Sequence, residues 1–109
     1  METEEAALRT EATQEAAWMA FARGSFLRER GSAEGALVFY GHAVRLAPEE
    51  SSFRLALARQ NLEMGRLGAA EEVLEKAAAK GEAVPAELLL MARLRLVSGR
   101  ADAAVHGSR

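Results

Sequence analysis

The chain has 109 residues, which suits one small domain, and half of them are hydrophobic, too many for a disordered acidic chain. Its 14 basic and 16 acidic side chains nearly cancel, which argues against a dedicated nucleic-acid binder. The absence of cysteine excludes disulfides, thiolate chemistry and cysteine-bound zinc.

Charge is unevenly placed: five glutamates and one arginine fall within residues 1–15, which leaves the remainder weakly positive. No apolar run has the length of a membrane span, and the acidic N-terminus does not read as a secretory signal. A cytoplasmic location is therefore the default expectation, and the initial methionine reads as a native start.

Residues 3–30 are predicted as one helix, because Trp18, Phe21 and Leu27 follow a helical period and not a strand alternation. Gly31 is placed to stop it in the left-handed position of a C-cap. Ser32 is a candidate N-cap for a second helix over Ala33–Leu46, although position 35 lacks the glutamate of a capping box. Ala36, Leu37, Tyr40, Ala43 and Val44 recur there at spacings of three and four, and Pro48 ends the run. Glu50, Ser51 and Ser52 lead into a third helix through Met64, with Phe53, Leu55, Ala56, Leu57, Ala58 and Leu62 as its apolar series; Gly65 stops it. A fourth is expected from Leu67 to Lys80, with Ala70, Val73, Leu74, Ala77 and Ala78 as its stripe. Lys76 and Lys80 suit the negative end of its dipole, and Gly81 follows. Pro85 fits the first turn of a fifth helix through Val97. Gly99 is expected to end it, residues 100–105 to begin a sixth, and the tail 106–109 to fray.

Gly31, Gly65 and Gly99 are spaced by 34 residues each time, and the same interval relates Ala36 to Ala70, Tyr40 to Leu74, Ala43 to Ala77, and Gly24 to Ala58 and Ala92. This pattern resembles the tetratricopeptide repeat, a degenerate unit of two antiparallel helices. Gly24, Leu27, Gly31, Ala36, Tyr40, Ala43 and Pro48 match the first full unit; Leu57, Ala58, Gly65, Ala70, Leu74 and Ala77 match the second. A partial third unit begins near Pro85 and supplies Ala92, Gly99 and Ala104. Three positions depart from the family pattern. Trp18 lies two residues before the usual tryptophan position, Asn61 stands where a large apolar residue is expected, and Glu82 replaces the closing proline.

The resemblance implies an all-α fold, an antiparallel helix-hairpin superhelix of five to six helices. Residues 1–16 would form an acidic helical extension or cap. The repeats would occupy 17–105, in units of about 17–50, 51–84 and 85–105. The physical reading agrees: alanines let helices approach closely, larger neighbours fill the gaps, and stacking merges hairpins that cannot bury their apolar sides alone.

No catalytic constellation stands out, and neither a cofactor nor a metal is expected. His42 and His106 have no metal-binding spacing, Glu72 and Lys76 form an i,i+4 pair on a solvated face, and the serines read as caps or loop residues. The expected function is non-catalytic protein–protein interaction. In the resembled family the first helices of successive units line a concave surface that holds a peptide or protein segment. The matching positions are Trp18, Phe21, Ser25 and Arg28; Ser52, Leu55, Arg59 and Leu62; and Ala86, Leu89, Arg93 and Leu96. They read as an apolar strip flanked by arginines, suited to an apolar or mildly acidic partner, with Trp18 and Phe21 as candidate hot spots. Phe21, Ser25, Leu55 and Arg59 do not match the Lys/Asn clamp with which one family variant holds a terminal carboxylate. The alternative is a structural subunit forming a homo-oligomer through an open C-terminal edge of Leu88, Leu89, Met91, Leu94, Leu96 and Val97. RNA binding finds no aromatic platform or basic tract to support it.

Overall fold

The computed structural model describes residues 3–107, with side chains through residue 99. Five helices follow one another: α1 (Glu4–Glu29), α2 (Ala33–Leu46), α3 (Ser51–Glu63), α4 (Leu67–Ala79) and α5 (Pro85–Gly107). Each packs against its chain neighbour, as a stack of hairpins does.

Three helices end in the same way. Gly31, Gly65 and Gly81 have φ of 85°, 76° and 72°, a region that side chains with a Cβ avoid. At each, the glycine N–H bonds to a carbonyl three residues back and the next N–H to one five residues back; Gly31 N donates to Arg28 O and Ser32 N to Leu27 O, at 3.0 and 2.9 Å. This closure satisfies the orphan carbonyls of the last turn and reverses the chain within three residues. Ser32 occupies the N-cap of α2 but makes no side-chain cap bond, unlike Thr3, whose hydroxyl accepts from Ala6 N at 3.1 Å.

Gly99 departs from the expected pattern. It does not stop α5, which runs unbroken to Gly107, so there is no sixth helix among the described residues. Glycine permits a reversal without imposing one. A helix of less than two turns folding back over 100–105 buries too little apolar surface to favour the turn, whereas continuing the helix costs only about 1 kcal/mol at the glycine. Residues 108–109 of the expected frayed tail, and the side chain of His106, lie outside the described residues.

Small residues set the helix spacing. Ala17, Ala20 and Gly24 form the buried face of α1, and Ala36, Tyr40 and Ala43 that of α2. A Cβ at Gly24 would lie 2.8 Å from Cδ1 of Tyr40, whose ring occupies the space that the glycine leaves, and the Tyr40 hydroxyl bonds to Ser25 Oγ at 3.0 Å. Two apolar clusters result. One gathers Ala17, Ala20, Ala43, Ala47 and Phe53; the other gathers Ala58, Ala70, Leu74, Met91 and Leu94. Met91 and Leu94, expected on an open edge, are therefore core residues, whereas Leu88, Leu89, Leu96 and Val97 are exposed.

A buried ion pair joins the second unit to the third. Arg54 of α3 is 4% exposed and Glu87 of α5 is fully buried. The guanidinium donates to both carboxylate oxygens, at 2.7 and 2.8 Å, and to the backbone carbonyls of Pro48 at 2.7 Å and Glu82 at 3.2 Å. Pro48 and Glu82 are one repeat apart, so a single arginine ties equivalent loops of successive units. Glu87 also accepts from Val84 N at 3.0 Å, the reach-back that satisfies a donor at the start of α5. Burial pushes the Glu87 carboxyl up, but the bonds from Arg54 and Val84 outweigh it and hold the group below the ordinary 4.5; Arg54, bonded to Glu87, is held above its own ordinary value.

Gly24→Ala gains helix propensity but overpacks Tyr40, for a net loss of roughly 1 kcal/mol in urea denaturation. Gly68→Ala, at a helical glycine with open space around it, should instead stabilise by about 0.5 kcal/mol. Arg54→Ala leaves a buried carboxylate unpaired and should cost about 3–5 kcal/mol. Because the folded pKa of Glu87 is depressed, its contribution is present at neutral pH and lost as pH falls below the unfolded value through the folded one. Glu87→Gln should therefore lower stability at neutral pH and reduce the further loss in acid, as read from thermal melts across that range.

Candidate functional site

Between α1 and α3 lies a groove of about 360 Å³ with Tyr40 of α2 at its base. Phe21, Ser25 and Arg28 line it from α1; Ser52, Leu55, Ala56, Arg59 and Gln60 line it from α3. Phe21 and Leu55 are one repeat apart, as are Ser25 and Arg59. Equivalent turns of successive first helices therefore face one another across the same space.

The aromatic side of the groove is rigid. The Phe21 ring centroid lies 5.3 Å from that of Phe53 and 5.7 Å from that of Tyr40, and Phe53 is wholly buried. Such ring pairs add directional packing to area burial and hold Phe21 half-exposed in a fixed orientation.

The two arginines differ. Arg28 bonds to Glu63 at the end of α3, with Nε 3.3 Å from Oε2 and a second contact from Nη2 to Oε1. This hydrogen bond, with the opposite charge, raises the Arg28 pKa and holds the Glu63 carboxyl below its usual range. Arg59 is exposed and forms no ion pair among the described residues. Beside it Gln60 is 2% exposed; its amide nitrogen is 3.5 Å from Ala33 O, and its Oε1 has no partner among the described residues.

The other sequence-derived positions lie outside the groove. Trp18 packs edge-on against Phe53, centroids 4.7 Å apart, and helps cover the first core cluster while remaining 47% exposed. Leu62 is half-buried against the second cluster. Leu89, Arg93 and Leu96 are exposed on α5. Conversely, sequence reasoning missed Ala56 and Gln60 as lining residues, placed Tyr40 in the core without the groove, and overlooked Glu63 as the partner of Arg28.

A second cavity of about 360 Å³ opens between α2 and α4 over α3, where Val44, Leu57 and Val73 meet Arg45 and Lys76. His42 is exposed, its Nδ1 3.4 Å from Arg45. Among the described residues no three His, Asp or Glu side chains converge as metal ligands would, and no helix is long and apolar enough to cross a membrane.

The family model described as tetratricopeptide repeat matches residues 27–85. Neither a curated protein nor a solved structure matches the chain. The match spans more than half of the 109 residues and takes in α2, α3, α4 and the turns at Gly31, Gly65 and Gly81. The chain belongs to the tetratricopeptide repeat family, whose members generally mediate protein–protein interaction and are typically non-catalytic.

Proposed function

We propose that the groove between α1 and α3 binds a protein segment carrying an apolar side chain next to a carboxylate. The observation that carries this reading is the convergence of repeat-equivalent residues, Phe21 with Leu55 and Ser25 with Arg59, on one open concavity. Phe21 and Leu55 offer an apolar wall whose partner side chain would leave water, which is the main attractive term. Arg59 offers a planar, permanently charged donor suited to a carboxylate. Arg28 is already engaged by Glu63, so its role is to close the end of the groove. Leu89, Arg93 and Leu96, one repeat beyond Leu55, Arg59 and Leu62, would prolong the strip along α5 for a longer segment. Trp18 has no part in this reading.

A second reading, self-assembly through α5, draws on the exposure of Leu88, Leu89, Leu96 and Val97, each about half accessible. Without Met91 and Leu94 its apolar area is smaller than the sequence suggests.

Selection from a random peptide library on the purified chain tests the first reading. The selected peptides should share an apolar residue beside Asp or Glu. Arg59→Glu, at an exposed position, should weaken their binding roughly tenfold without altering the thermal melt. Peptides lacking acidic residues, or affinity indifferent to Arg59→Glu, would contradict it.

A further inference from the structure

The cavity between α2 and α4 lies across α3 from the groove. Its volume of about 360 Å³ suits one small molecule, since sites of that kind hold roughly 300–1,000 Å³. Val44 of α2, Leu57 of α3 and Val73 of α4 give it an apolar wall from three helices, and each is half-buried. Gly41, in the interior of α2, borders the same space. Glycine weakens a helix interior, and no packing neighbour among the described residues requires one here. Outside its own helix backbone and chain neighbours, a Cβ at Gly41 would meet only Arg45 Nη1, at 3.7 Å. A larger side chain at this position would occupy part of the cavity.

Polar groups stand at both ends of this apolar wall. The cavity runs along α4 from Ala69 to Lys80, about 16 Å at the helical rise. Asn61, whose carbonyl bonds to Arg66 N at the start of α4, lies towards the Ala69 end. It is 5% exposed; its Nδ2 donates to Leu57 O at 3.0 Å, and its Oδ1 accepts no bond among the described residues. An amide oxygen inside a protein is costly to leave without a donor, and the cavity is the open space beside this one. The other end carries charge. Arg45 folds back over Gly41, and Lys80 caps α4. Neither forms an ion pair among the described residues, whereas Lys76 is paired with Glu72 and Arg54 with Glu87. Glu82 is the remaining carboxylate of the lining, so two unpaired cations face one unpaired anion.

We propose that this cavity binds a small amphipathic carboxylate whose apolar body carries an N–H or O–H donor. The body leaves water against Val44, Leu57 and Val73, which is the main attractive term. Its donor bonds to Asn61 Oδ1, and its carboxylate stays at the other end beside Arg45 and Lys80, where the guanidinium suits it best. Asn61 thereby gains a use at a position where a large apolar residue would pack as well. The site is independent of the groove, because the two use opposite faces of α3: Leu57 and Asn61 here, Leu55 and Arg59 there.

Titration with indole-3-propionate, followed by amide chemical shifts, tests the assignment. This probe joins an N–H donor, an apolar ring and a carboxylate, and should saturate with a Kd of roughly 0.1–1 mM for a ligand of its size. The shifts should concentrate on Val44, Leu57 and Val73 and leave Phe21 and Arg59 unmoved. Naphthalene-1-propionate, which lacks the N–H, should bind roughly fivefold more weakly. Tryptamine, which carries an ammonium in place of the carboxylate, should not saturate. Gly41→Leu should abolish binding with a melt no lower than the parent's, because leucine also favours the helix. Asn61→Leu should erase the preference for indole over naphthalene, and Arg45→Glu should weaken indole-3-propionate roughly fivefold. No saturable binding of indole-3-propionate, shifts centred on the groove, equal affinity for the two propionates, tryptamine binding as well as they do, or affinity indifferent to Gly41→Leu would each overturn the proposal.

Discussion

Arg54 sits where the array has least apolar surface to hold it together. Among the α5 side chains described, only Glu87, Met91 and Leu94 are buried, so two apolar residues hold the third unit against the second. The guanidinium supplies what they lack in direction: two bonds to Glu87 and one to each of two inter-helix carbonyls fix where α5 begins and how it is turned. A buried pair of this kind gives little net stability over a well-packed apolar replacement, because both charges have lost their water. Its effect is on specificity. A shift of α5 by one residue would take Glu87 away from both Arg54 and Val84 and leave buried charge unpaired, whereas a purely apolar contact between short helices tolerates such slippage.

The rest of the array is built from close approach. Alanine buries little area, and the first cluster would be poor if it held only Ala17, Ala20, Ala43 and Ala47. Its larger volume comes from Phe53 at the centre, with Phe21, Phe39 and Leu46 packed around it. That arrangement also makes the groove. Phe21 is fixed from beneath by Phe53 and from the side by Tyr40, and Tyr40 fits only because residue 24 has no side chain. Core packing and groove shape thus share residues, and a change at Gly24 acts on both.

The 34-residue period made much of this legible. Gly31 and Gly65 adopt the left-handed turn that their spacing foretold, and the alanines in register are buried. The same period placed Phe21, Ser25, Arg28, Leu55 and Arg59 around one groove, because equivalent positions of stacked hairpins face the same way. It failed where position in the array matters more than position in the unit. Gly99 has the register of a stop, yet α5 runs through it to Gly107, and Leu62 turns into the core that Met91 and Leu94 complete. Polar burial was the harder loss. Arg54 interrupts an apolar run from Phe53 to Ala58, and Glu87 follows Val84 and Pro85 at the spacing of a reach-back cap, ahead of Leu88 to Met91. Each signal was present, but amphipathic patterning reads a charged residue as solvated, and only the fold brings the two together. Asn61, in a position where the family prefers a large apolar residue, is buried because its amide nitrogen bonds to Leu57 O at 3.0 Å within its own helix.

The groove and the cavity between α2 and α4 have similar volumes, so the central question is which of them receives a partner. Amide chemical-shift mapping with a selected acidic–apolar peptide is the most direct test. The largest changes should fall on Phe21, Ser25, Leu55 and Arg59, with Val44 and Val73 unmoved. Changes concentrated on Val44, Leu57 and Val73 would contradict this and place binding on the other side of α3.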